Sequence, residues 1–271
     1  MPKFTYAKQK IVDSLQRELD AIEKTWPMTA NYERCDPYVT PYLQDGKYFE
    51  LLIYHFESKA WFDLAPTDAI LGQIAAGKMI QPNDIVFDIG SNAGGITVPL
   101  AAMCAEGGHV HAFDPYPWNA VATRHNAWLN GLTNVTAHAV GLSNKDFTIN
   151  VSPNDARIFA SSAEQNAQKL VIHDIRKYAH LNPVFMKIDI EGSEHDLFED
   201  HDTSLIPSVK RFVLEFHPFW ISPRGIDPKD SLRGIEKSGF DLRYHHIDMP
   251  KFDVETFNEH MHLFWGVRPA A

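Results

Sequence analysis

Phe87-Asp88-Ile89-Gly90-Ser91-Asn92-Ala93-Gly94-Gly95 is the stretch on which the reading of this chain turns. It closes the apolar run Ile85 to Ile89 and opens the helical run Ile96 to Cys104, so its glycines fall where a buried strand must bend sharply into a helix. Without Cβ atoms the backbone there can lie against a nucleoside or phosphate, and the helix N-terminus adds N–H groups that favour electronegative partners. The spacing is Gly-x-x-x-Gly, not the Gly-x-Gly-x-x-Gly of dinucleotide sites, which argues against a pyrophosphate. Asp88 argues the same way. Its charge repels a diphosphate but offsets the positive charge of an amino acid moiety and a sulfonium. A glycine turn needed only for strand-to-helix packing is the plainer alternative.

On either side of this loop, from Asp84 onward, short apolar strands alternate with longer amphipathic segments, the pattern of a parallel α/β sheet covered on both faces. Seven strands are predicted: Ile85 to Ile89, Val110 to Phe113, Val135 to Ala139, Phe185 to Ile190, Arg211 to Phe216, Phe240 to His245 and His262 to Val267. Phe147 to Val151 reads as an extra strand and Gln168 to Tyr178 as a short strand plus turn. Before the loop, Ile11, Val12, Leu15, Leu19 and Ile22 recur at helical spacing between Lys8 and Trp26. Cys35 to Gln44, with Pro37 and Pro41, reads as an irregular connection; Lys47 to Phe56 reads as strand; Pro66-Thr67-Asp68 opens a short helix that closes at Gly77.

Three later strand ends carry ionisable groups. Asp114 ends the second strand, where an acidic residue can accept hydrogen bonds from both ribose hydroxyls, although aspartate is also a common helix cap. In Phe185-Met186-Lys187-Ile188-Asp189-Ile190-Glu191-Gly192, the two-residue period puts Lys187, Asp189 and Glu191 on one strand face. Charge at the carboxyl end of a buried parallel strand is costly unless it meets a ligand, a partner or solvent, and α/β sheets bind ligands at that end. Leu214-Glu215-Phe216-His217-Pro218 repeats the arrangement: His217 either serves as a general base or merely caps its strand.

Bulk properties narrow the partners. A net charge of -10 disfavours steering toward a duplex or an anionic membrane, so a small or neutral acceptor is expected, with no nucleic acid and no membrane. Cys35 and Cys104 lack CxxC spacing and read as free thiols. The N-terminus lacks an apolar signal-peptide core and no window reaches bilayer-spanning length, which reads as a cytoplasmic protein. Oligomeric state is not legible.

Taken together, the ordered motifs resemble the FkbM family of S-adenosylmethionine-dependent methyltransferases. The resemblance covers about residues 80–269 and rests on Val86 to Gly94, Ala112-Phe113-Asp114-Pro115, Gly141-Leu142-Ser143, Lys187 to Gly192 and Leu214-Glu215-Phe216-His217. It implies a class I, Rossmann-like α/β fold: a seven-stranded, mostly parallel sheet with helices on both faces and its last strand, His262 to Val267, antiparallel. Residues 1–80 then form an N-terminal extension and residues 81–271 the cofactor domain. The resemblance further implies S-adenosyl-L-methionine cradled by Asp88, Gly90, Asn92 and Gly94, its ribose held by Asp114 and its adenine near Gly141, Leu142 and Ser143. The expected reaction is methyl transfer to a hydroxyl of a glycan or secondary metabolite. Two departures from the family pattern stand out, an Asp at position 114 where Glu is more usual and the extra Gly95.

In that reaction the sulfonium is already activated, so alignment supplies much of the rate. Asp189, Glu191 or His217 would take the hydroxyl proton. Alternatively, Asp189 and Glu191 hold a divalent metal that acidifies the hydroxyl, with metal-free chemistry the expectation of the two. Rival readings are a metal-dependent hydrolase using Glu191, Glu194, His195, Glu199 and His201, which lacks zinc-protease spacing; a nicotinamide dehydrogenase, which lacks its glycine fingerprint; and a non-catalytic nucleoside-binding module. The aromatics Tyr48, Phe49, Tyr54, Phe56, Trp61, Phe62, Trp118, Phe219 and Trp220 are candidates to stack on an acceptor, most of them expected to be core or lid packing.

Overall fold

In the computed structural model, which describes residues 6–26, 33–44, 46–64, 69–105, 107–151, 168–199 and 206–269, the central sheet consists of the seven strands the sequence predicts. They are β3 (Ile85–Ile89), β4 (His109–Phe113), β5 (Val135–His138), β9 (Phe185–Ile188), β10 (Arg211–Glu215), β11 (Asp241–Tyr244) and β12 (Leu263–Val267). Their order across the sheet is β11-β12-β10-β9-β3-β4-β5. All neighbours from β5 to β10 are parallel, while β12 is antiparallel to both β10 and β11. From β3 the chain builds outward to β4 and β5, then returns to place β9 and β10 on the other side. The junction of β3 and β9 is therefore the switch point, where open α/β sheets form a crevice at the carboxyl ends of their strands.

Alternation within the strands sorts the core. Phe87, Ile89, Phe113, Met186, Ile188, Phe212 and Leu214 pack on one face with Leu197 and Phe198 of α6 (Glu194–Phe198) and Leu232 and Ile235 of α8 (Pro228–Lys237). Val86, Val110, Phe185, Val213 and Trp265 pack on the other with α3 (Ala69–Ala76) and α4 (Thr97–Cys104). Burial of both faces explains the near-continuous apolar strands. Local signals set the helix starts: Asp227 accepts from the Lys229 N–H at 2.9 Å and Pro228 begins α8, Pro218 begins the short α7 (Pro218–Ile221), and Pro117 begins α5 (Pro117–Leu129).

The N-terminal segment folds as α1 (Tyr6–Glu23), an antiparallel hairpin of β1 (Arg34–Gln44) and β2 (Lys47–His55), and α2 (Phe56–Leu64). β1 corrects the irregular connection expected there. Its two prolines are tolerated because a two-stranded sheet leaves one side of each strand unpaired, and because Pro37 lies where the register shifts between Arg34 and Tyr38. The overlooked signal was Asp45-Gly46, a hairpin dipeptide, with Gly46 at φ +72°. Val12, Leu15 and Leu19 of α1 share a core with Leu52, Tyr54 and the α5 residues Trp118 and Ala122, so this segment is welded to the helix that follows β4. The predicted cap at Thr67 or Asp68 lies outside the described residues. β6 (Gly141–Ser143), β7 (Phe147–Val151) and β8 (Gln168–Asp174) make a second small sheet, with Ile175–Leu181 as the expected turn after β8. Both cysteines are free thiols, and burial first, then Asp84, pushes Cys104 up to about 12. No described helix is long and apolar enough to cross a membrane.

At the β4–β5 edge, His111 stacks on His138 with ring centroids 5.4 Å apart and packs 4.7 Å from His109. Burial, then repulsion from His109, His138 and His180, lowers His111 to about 4. These rings are neutral in the fold, whereas the unfolded chain takes up protons below its ordinary histidine pKa. Stability is therefore complete above pH 6.5 and falls as the pH drops toward about 4. Thermal unfolding across that window should show this loss, and His111→Asn should flatten it; an unchanged slope would remove the histidine ladder as its source.

Candidate functional site

The glycine loop is held mainly by its own backbone. Gly90 and Ser91 donate to Phe113 O at 2.9 and 3.1 Å, Asn92 N–H to Asp114 Oδ2 at 3.0 Å, and Gly94 N–H to Ser91 O at 2.9 Å. Thr123 and Asn126 of α5 clasp it from below, bonding Asn92 O and Ala93 O. The loop thus offers a preformed surface more than a row of free donors. Its glycines are dictated by close approach: at Gly90, φ +81°, a Cβ would stand 1.6 Å from Asp189 O, and at Gly94, φ +88°, 2.9 Å from Thr123 Cα. Gly95 serves packing as well, since a Cβ would meet the Phe62 ring of α2 at 2.2 Å.

Asp114 is 6% exposed and central to this end of the sheet. Besides the Asn92 N–H, it accepts from Tyr116 N–H at 2.9 Å and Asn119 Nδ2 at 3.0 Å, and Tyr54 in turn donates to Asn119 at 2.9 Å. Burial pushes its carboxyl up to about 6 against those hydrogen bonds. Beyond it, Gly90, Phe113, Pro115, Gly141, Leu142 and Ser143 line a small, largely apolar pocket, joined by Ile190, Ser193 and Asp196, which sequence reasoning missed. Ile190 and Ser193 come from the turn after β9 and Asp196 from α6, and strand periodicity carries no signal for them.

Asp88, fully buried, is not turned toward open space: its Oδ2 accepts from Thr97 Oγ1 at 2.5 Å. The parallel register sets Asp88 beside Lys187. Lys187, also buried, donates to Gly90 O and Asp189 Oδ2, both at 3.0 Å, and lies 3.8 Å from Asp88 Oδ1. Burial opposes its charge, but Asp189, Asp88 and Glu215 outweigh it and hold the ammonium above the usual lysine range. Lys187 and Asp189 meet as the two-residue period predicts. Glu191 does not continue that face: the strand ends at Ile188, and Glu191 sits in a turn at φ +51°.

That turn carries Glu191 to His217. The imidazole Nε2 is 3.6 Å from Glu191 Oε2 and 3.9 Å from Asp189 Oδ1, while Nδ1 is 2.8 Å from Oε1 of the fully buried Glu194. Burial opposes protonation, yet Glu194, Glu191 and Asp189 together push His217 up to about 9. At neutral pH it is an imidazolium, and it acts as a base only after releasing that proton. One ligand atom each from Asp189, Glu191 and His217 lie within 4.8 Å of one another, a set able to hold a metal ion. The hydrolase cluster does not converge. Glu194 turns to His217, His195 is 3.0 Å from Ser231 and Glu199 is 3.7 Å from Lys145, while His201 lies outside the described residues.

The aromatics separate cleanly. Phe49, Tyr54 and Trp118 are core, Tyr48, Phe56, Trp61 and Phe219 are exposed, and Phe62 and Trp220 are half-buried. Phe219 lies 5.8 Å edge-on from His217, and Trp220 hydrogen-bonds Glu191.

Among solved structures, three similar folds are precorrin-6y C5,15-methyltransferase from Geobacter metallireducens (12% identity, TM-score 0.40, covering 70% of this chain and 83% of that one), M. jannaschii TYW2 in complex with AdoMet (15%, 0.39, 87% and 87%) and Aeropyrum pernix fibrillarin with bound S-adenosyl-L-methionine (9%, 0.40, 88% and 86%). At such scores these likenesses add nothing to the topology above. No curated protein matches the sequence significantly. The family model described as the methyltransferase FkbM domain matches residues 88–252, more than half of the chain, from the start of the glycine loop to beyond β11. With that match added to the strand order and the glycine loop, the chain belongs to the FkbM family of S-adenosylmethionine-dependent methyltransferases.

Proposed function

We propose that this methyltransferase alkylates a hydroxyl oxygen of a small acceptor, a glycan or secondary metabolite. The observation that carries this reading is the placement of Asp189, Glu191 and His217 beside half-exposed Phe219, an acid-base group next to an aromatic platform at the mouth of the switch-point crevice. The acceptor oxygen attacks the methyl carbon, the C–S bond breaks with its electron pair left on sulfur as S-adenosylhomocysteine, and the hydroxyl proton passes to one of the three groups. Asp189 is held by Lys187, so Glu191, whose side chain is 61% exposed, is the group freest to meet the acceptor.

For the cofactor, Gly90, Asn92 and Gly94 shape the seat, Asp88 braces it through Thr97 and Lys187, Asp114 faces the ribose, and Gly141, Leu142 and Ser143 flank the adenine. Asp114 spends three hydrogen bonds on the protein, leaving acceptor capacity on a carboxylate that takes about four. Tyr54→Phe, which releases Asn119 from one bond, should weaken S-adenosylmethionine binding by roughly fivefold, about 1 kcal/mol. Calorimetry checks it, with Asp114→Ala as the severe comparison; equal affinity in wild type and Asp114→Ala would remove Asp114 from the site.

The function itself is tested by incubating the enzyme and S-adenosylmethionine with a panel of polyols, glycans and hydroxylated natural products, reading the mass increase of one methyl group and locating it by fragmentation. Methylation at nitrogen or carbon in place of oxygen would overturn the hydroxyl assignment.

A further inference from the structure

We propose that Asp189, Glu191 and His217 form a binding site for one divalent cation of the Mg2+ or Mn2+ kind. The inference deepens the reading of the same site, but the binding it describes does not depend on which atom is methylated.

The donor set is two carboxylate oxygens and one imidazole nitrogen, which suits cations that accept oxygen and imidazole ligands and keep waters in their remaining positions. The three ligand atoms already converge within 4.8 Å. Ligands of an octahedral Mg2+ lie about 2.1 Å from it and so about 3 Å from one another. Nε2 is 3.6 Å from Glu191 and 3.9 Å from Asp189, and no pair of the three is wider than 4.8 Å, so closure needs movements of under about 2 Å. Glu191, with a 61% exposed side chain, is free to make them.

Independent of the ligand cluster, its support is that of a metal site. Nδ1 of His217 is engaged by the fully buried Glu194 at 2.8 Å, so Nε2 is the nitrogen presented to the two carboxylates. A carboxylate behind a histidine is the arrangement that fixes ring orientation and raises basicity in metal sites. The second oxygen of Glu194 is buried with no hydrogen-bond partner among the described residues, so apart from the Gly192 N–H at 3.2 Å the carboxylate's charge is directed to the ring. Lys187 takes Asp189 Oδ2 at 3.0 Å and leaves Oδ1 facing the imidazole. Asp189, Glu191 and Glu194 thus set three negative charges around one buried lysine and one histidine. Once His217 yields its Nε2 proton to bind the ion, a divalent cation offsets that negative excess. Bound there, it would lower the pKa of an acceptor hydroxyl coordinated beside it, and with the three side chains then serving as ligands the hydroxyl proton would leave to water in place of passing to one of them.

Mn2+ titration followed by the paramagnetic resonance signal of the free ion tests the site without turnover. Wild type should bind one ion per chain saturably; Asp189→Asn and Glu191→Gln should each weaken binding at least tenfold, and Glu194→Gln by 10- to 100-fold. Glu236→Gln, at the Lys251 ion pair, should leave it unchanged. Glu191 lies in an exposed turn, so its variant keeps the test sound if Glu194→Gln unfolds. No saturable binding by wild type, or equal affinity in Glu191→Gln, overturns the cation site. Bound Mn2+ in a protein that methylates no hydroxyl supports the cation site and overturns the acceptor reading alone.

Discussion

Lys187→Met should cost about 3–5 kcal/mol, the usual result of removing one partner from a buried ion pair. The ammonium is 3% exposed and bridges Gly90 O, Asp189 Oδ2 and Asp88 Oδ1 at 3.0, 3.0 and 3.8 Å. Met keeps the length and most of the packing, so the loss reports charge: Asp88, at 0% exposure, keeps its hydrogen bond from Thr97 but loses the ammonium beside it. Urea or thermal unfolding measures the effect, a large share of the 5–15 kcal/mol typical of a whole fold. Adding Asp88→Asn should restore part of it, because the orphaned charge is then gone. A change under about 1 kcal/mol for the single variant would show that the carboxylates do not rely on this lysine.

Gly90→Ala should reduce S-adenosylmethionine affinity by about two orders of magnitude, close to 2.7 kcal/mol. Two costs combine. An L-residue at φ +81° is strained by about 1–2 kcal/mol, and a Cβ 1.6 Å from Asp189 O forces β3 and β9 apart where both lead into the site. Gly131 supplies the control: its φ is +70°, but nothing lies within 4 Å of the added atom, so Gly131→Ala carries strain alone and should leave the cofactor affinity intact. Calorimetry with S-adenosylmethionine and S-adenosylhomocysteine, alongside melting curves, separates the two costs. Equal affinity in Gly90→Ala and wild type would show that the loop is not the seat of the cofactor.

Most of the sheet was legible because burial on two faces writes an unmistakable apolar run, and all seven strands lie within two residues of their predicted bounds. β1 was misread because proline signals lost backbone donors, and a hairpin edge has none to lose on its open side. Asp88, Asp114 and the glycines were legible through position in the βαβ unit. Glu194 as partner of His217 was not, since it depends on a turn that folds back across positions 191 and 192, where both residues adopt positive φ. Asn119 and Tyr54 escaped for a related reason. Each is one polar group in a buried helix or strand, with a role set by a partner distant in sequence.

The contact between Gly90 and Asp189 O also bears on divergence. It is made by main chain, so the gap between the glycine loop and the carboxyl end of β9 is set by the strand pairing and depends little on side-chain identity beyond the glycine itself. Given the proposed site, changes in the hairpin, α2 or the residues around Phe219 can alter which molecule is accepted while the reach from donor to acceptor stays the same.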